Sequence, residues 1–387
     1  MNIALYHPWI YVKSGLERTI LEIVRRSRHN WILYTSHYDK EGTYPELKNY
    51  EIIEMNRVSV KRQYGAVAVA AYKIATTKLD LTKADALVVC CDGLGSFVTI
   101  RNRELPILNL CFTPLRAVYD KEYRKRHMKK HARLRLIALL AEKVFVPIDR
   151  ILWRNYRKVV CISRTVRKRV IDANLYPIEN MEVAYTGISG ENIRASEQFE
   201  PFFFLPGRIM WTKNIELAIE GFLKFRRSTQ KPFKLLIAGM VDDKSKVYYR
   251  KLKELSAESS DIEFHLNPSD EMMRQWYKRC YCTLFTAFNE DLGLTPMEAM
   301  AFGKPVIAVD KGGPREVVDR DRTGLLIPPD PRRFADAMRW LVDNPDKAKK
   351  MGRAGMSRVK GFTWEEYVKT LDNILDGMAN DKAVLLS

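Results

Sequence analysis

At 387 residues, with 46% apolar and 11% aromatic side chains, the chain exceeds what one hydrophobic core organises and suits two domains; charges of both signs along its length exclude a disordered polyelectrolyte. Net charge is +18 and uneven: residues 1–193 carry 33 Lys+Arg against 19 Asp+Glu, and residues 194–387 carry 32 against 28. The longest apolar runs, 66–72 and 136–141, fall far short of the ~20 residues that cross a bilayer, which excludes a transmembrane helix.

Short β-rich runs alternate with longer helical patterns from end to end, which predicts α/β units around parallel sheets. Strands are expected near 2–6, 31–35, 51–54, 86–90, 106–110, 158–162 and 182–185, with helices over 16–28, 64–78, 115–141 and 164–173. A break follows at Thr186-Gly187-Ile188-Ser189-Gly190 and its polar continuation to Pro201, the best candidate linker. Beyond it, strands are expected near 202–206, 234–238, 262–265, 281–285, 305–309 and 324–327. Helices are expected over 214–227, 245–257, 270–279, 296–302 and 332–343.

The densest cationic stretch, 121–135, has eight Lys or Arg among fifteen residues, including Arg124, Lys125, Arg126, Lys129, Lys130 and Arg133, and leads into apolar residues 136–140. Such a helix can lie on an anionic membrane, each surface-proximal cation contributing about 1 kcal/mol; the plainer reading is a solvated helix face. The six cysteines form no Cys-x-x-Cys pair and read as reduced, buried thiols of a cytosolic chain, and residues 1–7 lack the basic start and apolar core of a signal peptide. His127 and His131 have i,i+4 spacing, but a cation-rich face repels a metal ion and no metal site is expected.

The most informative segment runs from Asn289-Glu290-Asp291-Leu292-Gly293-Leu294-Thr295-Pro296-Met297-Glu298 on to Ala308. A strand there enters a glycine-containing loop and then a helix, and open α/β sheets bind ligands beyond the carboxyl ends of their strands. Amides at the helix start, near Leu294, Thr295 and Met297, are placed for a phosphate. Thr295-Pro296-Met297-Glu298 also reads as an N-cap, a proline at the first helical position and a capping-box glutamate. That reading leaves Glu290 unexplained, and two carboxylates at one strand end suit hydroxyl recognition. Asp319-Arg320-Asp321 has the Asp-x-Asp form of some metal sites but reads as a solvated turn before Thr323-Gly324.

The 289–308 segment resembles the paired-glutamate motif of glycosyltransferase family four, retaining enzymes of the GT-B fold. Pro206-Gly207-Arg208-Ile209-Met210-Trp211-Thr212-Lys213-Asn214 is similar to that family's diphosphate-gripping stretch. Gly312-Gly313-Pro314-Arg315-Glu316 is similar to its later glycine loop, and Ser14-Gly15-Leu16-Glu17-Arg18 to its N-terminal loop over the donor phosphate. Cys111-Phe112-Thr113-Pro114-Leu115-Arg116-Ala117-Val118-Tyr119-Asp120 resembles a stretch of the family's GDP-mannose-dependent mannosyltransferases, with Phe112 where relatives often carry histidine.

The resemblance implies an α/β chain of two facing Rossmann-like domains: an acceptor-binding domain at 1–190, a nucleotide-sugar-binding domain at 200–360, and a segment at 361–387 crossing back to the first. It implies Arg208, Lys213 and Glu290 as catalytic residues. The donor site would comprise Gly15, Gly207, Arg208, Lys213, Glu290, Gly293, Leu294, Thr295 and Glu298, with Glu298 on the ribose and Glu290 on the sugar. Thr113, Arg116, Tyr119 and Asp120 would form a sugar or acceptor site, although Arg116 and Asp120 equally suit an i,i+4 ion pair. The expected reaction moves a hexosyl group, mannose from GDP-mannose being favoured, to a lipid-linked or glycan acceptor at an anionic membrane surface on the cytoplasmic side. Neither metal nor cofactor is expected. A sugar-nucleotide epimerase or phosphorylase of GT-B fold is the alternative; a nucleic-acid-binding protein, suggested only by the charge, would not account for the ordered motifs.

Overall fold

The structure, a computed structural model, describes residues 1–60, 63–91, 93–130, 135–188 and 195–386. The chain divides into two compact units: Met1–Gly187 with Trp364–Ser387, and Ile188–Thr363.

The first unit is built on β1 (Asn2–His7), α1 (Gly15–Arg26), β2 (Asn30–Thr35), β3 (Ile52–Glu54), α2 (Tyr64–Thr76), β4 (Ala86–Cys91), β5 (Ile107–Cys111), α3 (Arg116–Tyr119), α4 (Lys121–Lys130), α5 (Arg135–Trp153), β6 (Lys158–Cys161), α6 (Arg164–Asp172) and β7 (Met181–Val183). Its sheet has the order β3-β2-β1-β4-β5-β6-β7, all pairs parallel. The central strands are apolar on both faces, Ile3, Leu5, Leu87, Val89, Leu108 and Leu110 being fully buried, as a sheet covered on both sides requires.

Two features depart from the sequence reading. The helix expected over 115–141 is interrupted at Asp120, an extended residue whose carboxylate accepts hydrogen bonds from the Glu122 and Tyr123 amides at 3.1 and 3.0 Å and so opens α4. Its last part instead runs through Val144-Phe145-Val146-Pro147 to Trp153. Tertiary contact supports the extension: Phe145 stacks on Phe97, and Pro147 lies with Lys143 on the exposed face of the helix.

The second unit comprises β8 (Phe202–Pro206), α7 (Ile215–Arg227), β9 (Lys234–Gly239), α8 (Lys246–Ser256), β10 (Ile262–Leu266), α9 (Asp270–Arg279), β11 (Cys282–Phe285), α10 (Leu294–Ala301), β12 (Val306–Val309), α11 (Pro314–Val317), β13 (Gly324–Ile327), α12 (Pro331–Asp343) and α13 (Pro345–Val359). Its sheet is again wholly parallel, in the order β10-β9-β8-β11-β12-β13. Phe203 is the hub of its core, within aromatic contact of Phe222, Phe225, Phe233 and Tyr281.

The chain then returns to the first unit as α14 (Trp364–Leu386). Trp364, Tyr367, Val368, Leu371, Leu375 and Met378 form its buried stripe at helical spacing, and Asp372 accepts from the Ser27 hydroxyl and the Arg28 amide where α1 ends. The candidate linker lies partly outside the described residues, at 189–194. Cys90, Cys111, Cys161, Cys280 and Cys282 are buried free thiols.

Candidate active site

In the second unit the strand order reverses between β8 and β11, so the loops beyond these two strands diverge and leave a crevice of the kind in which open α/β sheets bind ligands. Hydrogen bonds tie the loops there: the Phe288 amide donates to the Thr212 carbonyl at 2.7 Å, the Thr286 hydroxyl to the Lys213 carbonyl at 2.8 Å, and the Gly313 amide to the Glu290 carbonyl at 2.8 Å. Loops after β8, β11 and β12 are thereby held as one surface.

Gly207 follows β8 at φ +132, and Arg208 after it is exposed, its side chain without a hydrogen bond or ion pair among the described residues. Lys213 ends a short 3-10 turn, and its ammonium binds the Glu290 carboxylate at 2.6 Å, both side chains about three-quarters buried. Glu298 accepts from the Tyr277 hydroxyl of α9 at 2.6 Å. Burial pushes the Glu298 carboxyl up from its ordinary value, against the Tyr277 hydroxyl and the Lys213 charge, which pull it down. Tyr277 is itself pushed up, by burial and then by the Glu298 charge. The four residues Lys213, Glu290, Glu298 and Tyr277 thus form one electrostatic group, with Arg208 beside the same strand end.

The N-cap reading of Thr295 is corrected by the structure. α10 begins at Leu294, with Gly293 at its cap in the left-handed region, φ +114, a conformation costly to any residue with a Cβ. The glycine admits the chain to the helix two residues earlier than expected, and Pro296 still falls in the first turn, where its missing N–H breaks no intrahelical bond. Thr295 is therefore inside the helix, and Glu298, a turn further on, is engaged by Tyr277 rather than by a capping box. Gly293, Leu294 and Thr295 do lie at the helix N-terminus, aimed beyond the same strand ends. Asp319-Arg320-Asp321 forms a turn with Asp321 at φ +61, Arg320 pairing with Asp310 and Asp319 lying 3.9 Å from Arg322.

The remaining candidates lie in the first unit. Gly15 is the first residue of α1, preceded by Ser14, whose hydroxyl accepts from the Leu16 amide at 3.2 Å and hydrogen-bonds Glu17. Thr113 accepts from Arg169 at 3.2 Å. Arg116 pairs with buried Asp120 at 3.0 Å, the i,i+4 arrangement. Burial alone would raise the Asp120 carboxyl, but the Tyr123 amide and the Arg116 and Arg169 charges outweigh it and hold it below its ordinary value. Tyr119 donates to Asp149 of α5 at 2.9 Å, and Ser96 donates to the other Asp149 oxygen at 2.9 Å. Of the cationic run, Arg124 is bound to Glu142 of α5 at 2.6 Å, while Lys125 and Arg126 are exposed. The side chains of His127, Lys129 and Lys130, and all of His131 and Arg133, lie outside the described residues.

Sequence reasoning missed Tyr277 and Asp149. Tyr277 belongs to an ordinary amphipathic helix, and nothing local marks its hydroxyl as a carboxylate's partner; Asp149 lies beyond residue 141, where the expected helix ends.

Residues 190–358 match the family model for glycosyl transferases, group 1. The chain is 27% identical over 396 residues to the α-1,3/1,6-mannosyltransferase ALG2 of Mus musculus, covering 92% of this chain and 91% of the relative. With ALG2 of Homo sapiens it is 35% identical over 170 residues, 41% of each chain. Among solved structures, sucrose-phosphate synthase from Thermosynechococcus elongatus superposes with a TM-score of 0.75 at 17% identity over 100% of both chains. HepE of Anabaena, solved in complex with UDP and glucose, gives 0.73 at 15% identity, covering 97% of this chain and 100% of that one. The doubly wound parallel sheets and the solved structures agree on the fold, and the sequence matches add to it: the chain has the GT-B architecture, carries a group-1 glycosyl transferase domain over residues 190–358 and resembles the family-four mannosyltransferases.

Proposed function

We propose that this protein is a retaining mannosyltransferase, taking mannose from GDP-mannose to a lipid-linked or glycan acceptor at the cytoplasmic face of an anionic membrane. The observation that carries the donor site is the pairing of Lys213 with Glu290 and of Tyr277 with Glu298 at the β8/β11 reversal. Arg208, free of side-chain partners among the described residues, and Lys213 grip the diphosphate, and the α10 amides add their dipole where leaving-group charge accumulates. Separating a partly exposed pair such as Lys213 and Glu290 costs about 1 kcal/mol, little against the charge a diphosphate brings. Glu290 is thereby released toward the transferred sugar, and Glu298 holds the ribose hydroxyls. In the reaction the bond from the anomeric carbon to the diphosphate breaks, the acceptor oxygen bonds to that carbon from the same face, and a phosphate oxygen receives the acceptor's proton. Such a step needs neither a protein base nor a divalent metal. By the family resemblance Gly15 belongs to the donor-phosphate residues, and the 113–120 segment of the first unit receives the sugar or acceptor. The mannose assignment is supported by the ALG2 relatives and by the 111–120 stretch.

The test is thermal stabilisation by GDP-, UDP- and ADP-sugars followed by turnover with the best donor. GDP-mannose should stabilise most, by roughly 2.7 kcal/mol at 100 times its Kd. Arg208→Ala and Glu298→Gln should each cut turnover at least tenfold with folding intact, and EDTA should leave the wild-type rate unchanged. Near-normal turnover in both variants would overturn the site. Loss of activity in EDTA, restored by magnesium or manganese, would return attention to Asp319-Arg320-Asp321.

A further inference from the structure

In helix α5 the usual polarity is inverted. Its acids face the protein: Asp149 is 3% exposed and held by Ser96 and Tyr119, and Glu142 is bound to Arg124. Its outer face carries Leu136, Leu140, Val144, Ile148 and Ile151, each between 38% and 70% exposed. At about 100° per residue these positions fall within an arc of about 120°, a single stripe about 22 Å long. Lys143, Arg150 and Arg154, all exposed, follow one edge of it, and no described acid shares the face. Helix α2 packs on the same Gly95–Ile100 turn as α5 and adds exposed Val69 and Tyr72. Isolated apolar side chains on a surface are ordinary, but five in register on one helix mark a surface that something covers.

The charges select the occupant. A second copy of this chain would bring two cationic edges together, whereas an anionic lipid surface complements the edge and the exposed Lys125 and Arg126 of α4 together. An apolar stripe bordered by Lys and Arg is also the pattern of a helix lying in the plane of a bilayer interface. We infer that α5 is the docking helix of this glycosyltransferase, its stripe inserted at the acyl boundary of an anionic membrane and its basic edge at the headgroups. This rests on the membrane-surface reading above but moves the attachment from the 121–135 charges to the apolar face of the next helix. Through Tyr119–Asp149 and Arg124–Glu142 the docked helix also anchors the 116–124 segment, holding the candidate acceptor site close beneath the lipid surface.

The experiment is co-sedimentation of the full chain with phosphatidylcholine vesicles, with and without phosphatidylglycerol, at low and high salt. Wild type is compared with a Leu140→Ser/Val144→Ser/Ile151→Ser variant and with a Lys143→Gln/Arg154→Gln variant. Wild type should bind the anionic vesicles and keep a salt-resistant fraction. The apolar variant should lose binding by at least about tenfold, since burying one such side chain alone is worth about that factor. The charge variant should lose only the salt-sensitive part. Unfolding curves establish that the variants are folded, and stabilisation by GDP-mannose is read in the same samples. Vesicle binding needs no donor, so a failed donor assignment leaves this result standing, and the converse holds too. Partitioning of the apolar variant like wild type, or no wild-type binding at any salt, would overturn the inference. So would a wild-type dimer that the apolar variant converts to monomer, which would assign the stripe to a second copy.

Discussion

Asp149 is the carboxyl group whose ionisation the fold resists most visibly. Burial pushes it up to about 6, with the Tyr119 and Ser96 hydroxyls opposing. Because the folded value lies above the unfolded one, its contribution to stability is complete below the ordinary carboxylate range and is lost as pH rises through about 6. At about 1.36 kcal/mol per unit, the loss is on the order of 3 kcal/mol by neutral pH. Urea unfolding of wild type between about pH 4 and pH 7 should show that decline, and Asp149→Asn should flatten it; parallel curves would assign the decline to another group. At the same scale, Glu290 and Glu298 were legible in the sequence because two acids flank one strand–loop–helix step. Their partners were legible only for Lys213, which shares a recognisable stretch; Tyr277 reaches Glu298 only because α9 packs beside β8. Thr295 was misread because its local capping chemistry is sound, and a left-handed glycine two residues earlier overrides it.

At the scale of elements, strands were read better than helices. Runs such as 202–206 and 234–238 are apolar on both faces, and neither loop chemistry nor helical spacing competes with that pattern. α13 escaped notice because its buried face is made largely of small residues: Ala348, Met351, Gly352, Gly355 and Val359 face inward, and the glycines imitate helix breakers. They are there for close approach. A Cβ on Gly352 would stand 1.9 Å from the Gly303 carbonyl oxygen, and one on Gly355 2.8 Å from Met300. Gly352→Ala, which would raise helix propensity on an open surface, should here destabilise the protein by about 1–3 kcal/mol through overpacking. A neutral or stabilising result in urea unfolding would show that α13 can retreat from the loop at Gly303 at little cost.

For the molecule as a whole, length pointed to two domains and the alternation of short apolar runs with helical spacing to α/β units, whereas the return of residues 361–387 to the first domain was an expectation of the family resemblance and of no residue pattern. The +18 charge has a consequence for the entire chain, since like charges held in a compact state repel. Raising ionic strength from about 10 mM to about 150 mM shortens the Debye length from about 30 Å to about 8 Å. The thermal midpoint should rise over that range; a flat or falling midpoint would mean that favourable ion pairs, such as those of Glu22 with Arg18 and Arg26, outweigh the repulsion.

Both ends of the chain belong to the first unit, and the second is an uninterrupted stretch, Ile188–Thr363, whose ends meet where the Ile188 amide donates to the Phe362 carbonyl at 3.2 Å. On the ribosome this reverses the usual sequence of events. The first unit begins to emerge first yet waits for α14, made after the second unit, to cover its apolar surface. Translation of the intervening stretch takes on the order of 10–35 s at about 5–20 residues per second. The later unit is therefore complete while the earlier one still exposes the surface that Leu371 and Leu375 will bury, and a nascent chain stalled at Thr363 should be the form that holdase chaperones retain.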